Sequence, residues 1–138
     1  MQYVLQPEVP GELGDHTIMN TNVHPPIVEY LHFTFFGWLG DDLVECFPCF
    51  LVSDRLKQLL NRSDLKGFYF ADCEIDSSEE FELLQPQVKL PVFTWLKVSN
   101  SASDDFFINS LFNLQVSEKA WAVLNNVNVS HCDVSLIE

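Results

Sequence analysis

Ten residues, Val52 to Asn61, are echoed at a constant offset of 64 by Val116 to Asn125, and this repeat limits the fold more than any other feature. The first copy reads Val52-Ser53-Asp54-Arg55-Leu56-Lys57-Gln58-Leu59-Leu60-Asn61. The second reads Val116-Ser117-Glu118-Lys119-Ala120-Trp121-Ala122-Val123-Leu124-Asn125. Each follows an apolar run, Cys49-Phe50-Leu51 in one case and Leu111-Phe112-Asn113-Leu114 in the other, and each precedes a strand-like stretch. Ser53 and Ser117 are helix N-cap residue types, able to accept hydrogen bonds from free first-turn N–H groups. Asp54 and Glu118 put negative charge at the positive end of the helix dipole. Leu56, Leu59 and Leu60, like Ala120, Val123 and Leu124, fall at i, i+3, i+4 and form one apolar face. Two strand–cap–helix–strand units follow from this, with no need for a catalytic serine. The expected fold class is α+β: an antiparallel or mixed β-sheet with two or three short helices packed on it.

Residues 1–138 read as a single domain. Residues 1–26 hold Pro7, Pro10, Gly11, Gly14, Pro25 and Pro26, so the spacing predicts an extended, turn-rich arm. Residues 27–75 form a first half containing the first repeat unit, with one buried strand over Ile27 to Phe36. Phe68 to Ile75 alternates as a strand should. Residues 76–87 read as an acidic loop, and residues 88–138 as a second half with the second unit. Pro91 cannot donate to a ladder, which places its strand at an edge or starts the strand near there.

The charge balance is lopsided, with 20 acids against 7 bases and a net charge of −13. Neutralising phosphates is the main source of nucleic-acid affinity, so this balance argues against a nucleic acid or an anionic membrane as partner. No Lys or Arg precedes Arg55, and a second acidic run (Asp72, Glu74, Asp76, Glu79, Glu80, Glu82) contains no base. Such a run is either a solvated surface or a negative patch that steers a basic protein. Asp41, Asp42 and Glu45 form a second candidate group for that patch. Trp38, Phe93 and Trp95 are candidate aromatic anchors for a partner, with core packing as the alternative for each. The N-terminus has neither a basic n-region nor an apolar h-region, so no signal peptide is expected and the cytoplasm is the expected location.

Catalytic chemistry is hard to assemble from these residues. Cys46-Phe47-Pro48-Cys49 has C-x-x-C spacing, which serves redox and zinc sites alike. A redox pair should open a helix, whereas Cys49 runs into an apolar strand. A zinc site needs four ligands, and only the scattered Cys73, Cys132 or a histidine could complete one. His131-Cys132-Asp133 contains triad residue types, but neighbours on a strand point to opposite faces. His16, His24 and His32 show no metal spacing, and there is no phosphate loop or G-x-S-x-G. The expectation is no enzyme, no metal and no cofactor, with structural thiols at Cys46 and Cys49 and a zinc or thiol role as the lesser alternative.

Phe50-Leu51-Val52-Ser53-Asp54-Arg55-Leu56, with Leu65-Lys66-Gly67-Phe68 downstream, resembles a signature of small bacterial immunity proteins of polymorphic toxin systems, including contact-dependent inhibition loci. Leu90-Pro91-Val92-Phe93-Thr94-Trp95-Leu96, Asp104-Asp105-Phe106 and Leu114-Gln115-Val116-Ser117-Glu118-Lys119-Ala120 are similar to its later half, so the likeness spans about residues 46–133. The resemblance implies stoichiometric binding of a cognate toxin domain, often a basic nuclease, and offers no catalytic residue. The other reading is a scaffold or regulatory domain whose acidity serves solubility. Oligomeric state is open.

Overall fold

The computed structural model describes residues 1–137. In chain order the elements are β1 (Gln2–Gln6), β2 (Gly11–Leu13), β3 (Ile18–Asn20), β4 (Ile27–Tyr30), β5 (His32–Phe35), β6 (Leu43–Cys46), β7 (Cys49–Ser53), α1 (Asp54–Arg62), β8 (Phe68–Ala71), β9 (Glu74–Ser77), α2 (Glu79–Leu84), β10 (Phe93–Val98), β11 (Phe106–Ile108), β12 (Leu114–Ser117), α3 (Glu118–Leu124) and β13 (Asp133–Ile137). The class is α+β, with antiparallel and mixed sheets and three short helices among the described residues.

The repeat governs the architecture. Two four-stranded sheets have the orders β6-β7-β10-β8 and β11-β12-β1-β13. In each, a hairpin leads into a Ser-capped helix, and the strand after that helix returns to the sheet's far edge. The central gap is filled by β10 in one sheet and by β1 in the other. The registers correspond: β10 sets Leu96 opposite Phe50 and Phe70, while β1 sets Leu5 opposite Leu114 and Val134. Beyond the central strands, Glu45 N–H donates to Glu8 C=O (2.9 Å) and Ile108 N–H donates to Ser99 C=O (2.8 Å). Each central strand thus completes one unit's sheet and then passes to the other unit.

The caps form as the residue types dictate. Ser53 Oγ accepts from Leu56 N–H at 3.3 Å and Ser117 Oγ from Ala120 N–H at 3.1 Å. Leu56 and Leu60 of α1 and Ala120 and Leu124 of α3 share one core with Leu5 of β1 and Leu96 of β10. Replacing Ser53 or Ser117 with Ala should lower stability by about 0.5–2 kcal/mol in urea unfolding. Ser53, being buried, belongs at the upper end and Ser117 at the lower.

A second layer covers the other face of the β6-β7-β10-β8 sheet. Phe33 and Phe35 of β5, Phe81 of α2 and Leu51 of β7 pack there with Phe93 and Trp95. β7 is therefore buried along its whole length, alternate residues facing the two cores, which explains its unbroken apolar sequence.

Several expectations are corrected. Residues 1–26 are extended but carry β1, β2 and β3, and β1 is a central strand of a sheet. The strand expected from Ile27 to Phe36 breaks at Leu31, and the one from Phe68 to Ile75 divides between two sheets. The acidic segment 76–87 is not a loop throughout. Asp76 is on β9, and Ser78 accepts from Phe81 N–H at 3.1 Å to start α2, whose Phe81 is buried. The strand-like stretch expected after the second repeat unit begins only at Asp133.

Candidate partner-binding surface

α2 presents the acidic surface. Burial of Phe81 turns Glu79, Glu80 and Glu82 to solvent, and Leu83 and Leu84 are 79% and 78% exposed beside them. Two adjacent leucines this bare, rimmed by carboxylates, have the composition of an interface with an apolar centre and a polar edge. Gln85 anchors the helix end: Trp38 N–H donates to its Oε1 (3.2 Å), and its Nε2 donates to Trp38 C=O (3.3 Å). Asp72 is exposed nearby in sequence.

Glu74 and Asp76, by contrast, have partners within the chain. Glu74 Oε1 accepts from Tyr30 OH at 2.8 Å, and Oε2 lies 2.9 Å from His16 Nδ1. The Tyr30 hydroxyl first, and His16 next, hold the Glu74 carboxyl below its usual range. Asp76 Oδ2 lies 3.0 Å from the ring of buried His32. Its carboxyl is lowered by the Thr34 hydroxyl first and by His32 second. These contacts tie β9 to β5 and to the 14–17 turn.

The second acidic group is corrected further. Asp41 is fully buried, accepting from His131 N–H at 2.9 Å and facing His131 Nδ1 at 2.9 Å, so it braces the 130–132 turn. Asp42, 6% exposed, accepts from Ser53 Oγ at 2.6 Å, Arg55 Nη2 at 2.6 Å and Asn128 N–H at 2.8 Å. The anchors also fail as exposed groups. Phe93 and Trp95 are buried, and half-buried Trp38 donates its indole N–H to Asp41 C=O at 2.9 Å. The exposed Leu83 and Leu84 were missed because 76–87 read as a loop; Ser78-Glu79 repeats the cap-plus-acid signal of Ser53-Asp54 and could have revealed the helix.

Glu45 is partly buried, and desolvation pushes its carboxyl from 4.5 up to about 7. The folded state therefore binds this proton more tightly than the unfolded chain. Its stabilising contribution is full below pH 4.5 and is lost as pH rises toward 7. After allowance for solvent screening we expect stability to fall by about 1–2 kcal/mol across that window. The slope should be smaller in Glu45→Gln, the remainder coming from Glu8, whose carboxyl is also raised by burial, as measured by urea unfolding at several pH values. Equal slopes in the two proteins would contradict the assignment.

The cysteines have little nucleophilic character. Burial pushes the thiols of Cys49 and Cys132 up to about 12, that of Cys73 to about 11, and raises Cys46. Cys46 and Cys49 face each other across the β6–β7 turn as free thiols. Among the described residues, the groups dense enough to hold a cation are His16–His32–Glu74 and Glu8–Asp41–His131, and neither includes a cysteine. In the first, His32 Nδ1 accepts from His16 N–H at 3.2 Å, which leaves the proton of a neutral ring on Nε2. That tautomer suits a hydrogen bond to Asp76 rather than a metal. His131 faces Asp41, so it forms no dyad with Cys132.

Residues 30–82 match the model of the Immunity protein family (Imm11), a segment running from the end of β4 into α2. The match supports an immunity-protein role and overlaps the first part of the resemblance read from sequence. No curated protein and no solved structure matches the chain.

Proposed function

We propose that this chain is an immunity protein that neutralises a cognate, basic toxin domain by one-to-one binding. The observation that carries this reading is the match over residues 30–82, a stretch that ends in the acidic ridge of α2. Glu79, Glu80 and Glu82 attract the partner, and Leu83 and Leu84 supply apolar contact area. No catalytic step is assigned, and the site of action is the cytoplasm, where four free thiols stay reduced. Nucleic acids and anionic membranes are disfavoured by the net charge of −13. No helix among the described residues is long and apolar enough to cross a membrane.

The test is growth rescue against the toxin domain encoded by a neighbouring gene, with the expression ratio varied. Occlusion requires the protective chain to be at least equimolar with toxin. Rescue at strongly substoichiometric levels would sink the occlusion reading and favour turnover. A neighbouring toxin domain that is acidic and does not bind would overturn the electrostatic part.

A further inference from the structure

A cavity of about 250 Å³ lies between the β8–β10 edge, the β6–β7 turn, residues 25–28 and the turn before β12. It shares no residue with the acidic ridge. Its walls are mostly apolar and include the aromatic rings of Phe47, Tyr69, Trp95 and Phe112. Its one Lys or Arg is Lys97, whose ammonium sits 4.3 Å from the Trp95 ring centroid and 5.8 Å from that of Tyr69. Among the described residues no carboxylate lies within ion-pair distance of Lys97, although acids outnumber bases 20 to 7.

The second unit is an internal control on these side chains. Where β10 pairs Lys97 with Tyr69, β1 pairs Gln6 with Asp133 at the equivalent register, and Val4 stands where Trp95 does. The same strand pairing thus forms without a tryptophan, a lysine or a tyrosine. Those residues are not required by the sheet.

Strain at the cavity rim is an independent observation. Phe112 has φ 63, a left-handed conformation that is strained for a residue bearing a side chain. Asn109 holds the turn, its Oδ1 accepting from Leu111 N–H (3.0 Å) and Asn113 N–H (3.1 Å). The Phe112 ring meets His24 edge-on at 5.1 Å. Strained residues held by their surroundings gather at ligand clamps.

The geometry points to a binding site for a small aromatic monocarboxylate, its ring among Phe47, Tyr69 and Phe112 and its carboxylate on Lys97 Nζ. A cationic ring is disfavoured because Lys97 already occupies the cation seat over Trp95. A neutral ring would leave the ammonium without an anion. The volume, below the roughly 300–1,000 Å³ of drug-sized sites, limits the ligand to one ring system with a short tail.

The test titrates indole-3-acetate and its neutral amide, indole-3-acetamide, into the full chain, read by calorimetry and backbone amide shifts. The acid should bind about tenfold tighter than the amide, as a charge-assisted contact predicts, with shifts centred on Tyr69, Lys97 and Phe112. Lys97→Gln, which installs the residue the second unit uses, should bring that ratio close to one, mainly by weakening the acid. Tyr69→Ala, at an exposed position, should weaken both ligands. Equal affinities for acid and amide in the unaltered protein would overturn the proposal. So would a preference that survives in Lys97→Gln, or shifts that fall outside the cavity.

Discussion

Replacing Asp42 with Ala is expected to destabilise the protein by about 3–5 kcal/mol, since two hydrogen bonds to a charged acceptor are lost at about 1.5–3 kcal/mol each. Asp42 is 6% exposed and serves three donors from different parts of the chain. It accepts from the cap hydroxyl of Ser53, from Arg55, and from the Asn128 N–H after α3. Alanine would leave the buried Ser53 hydroxyl and the part-buried Asn128 N–H without this acceptor. Arg55 is largely exposed and contributes little to the total. The second unit repeats the device: Asp105 accepts from Ser117 Oγ at 2.8 Å and from Lys66 N–H, after α1, at 2.9 Å. Each aspartate caps its own unit's helix through serine and holds the chain leaving the other unit's helix. Asp105 is only half-buried, so Asp105→Ala should cost about 1–3 kcal/mol. Against a total stability of about 5–15 kcal/mol, the Asp42 change should lower the melting temperature by roughly 10–15 °C. A loss below 1 kcal/mol for Asp42→Ala would refute the clasp.

The clasp also explains Gly67 in the Leu65-Lys66-Gly67-Phe68 motif. Lys66 C=O accepts from both Asp105 N–H and Phe106 N–H, so Gly67 passes directly against β11. It has φ 106, and a Cβ there would lie 2.1 Å from Phe106 C=O. Only glycine fits that crossing.

The helices and their caps were legible because they depend on local chemistry: a serine, an acid, and apolar residues at helical spacing. The same signal at Ser78 was overlooked because six acids in the surrounding run read more strongly as solvent. The strand after Pro91 was legible, but the central placement of β10 and β1 in their sheets was not. Gln2-Tyr3-Val4-Leu5 and Phe93-Thr94-Trp95-Leu96 share only their leucine, and their equivalence lies in cross-strand register. Asp41 looked like surface charge because its partner His131 is 90 residues away, and the third donor to Asp42, Asn128 N–H, is 86 residues away. The candidate site suffered most from this. Residue type located the acids, whereas tertiary pairing decided which of them remained free for a partner.

Charge reversal of that free set, Glu79, Glu80 and Glu82 to Lys, should slow association with the toxin domain at least tenfold at low ionic strength. All three are exposed and, among the described residues, no Lys or Arg lies within ion-pair distance of them, so on the proposed reading they would act on an approaching partner through long-range attraction. Rim charges act mainly on encounter, so dissociation should change much less. The unaltered protein should associate more slowly as salt rises, because exposed charges are screened over roughly 8–10 Å near physiological ionic strength. The triple variant should lose most of that salt dependence. Leu83→Ala with Leu84→Ala should do the opposite, leaving association nearly unchanged and speeding dissociation by about tenfold or more through lost apolar contact. Reversing Asp54, Asp64 and Glu118, three exposed acids on the α1–α3 side, changes the net charge by the same amount and is the control for charge alone. If that control slows association as much as the α2 reversal does, attraction is a property of the whole acidic chain and the ridge is not the docking face.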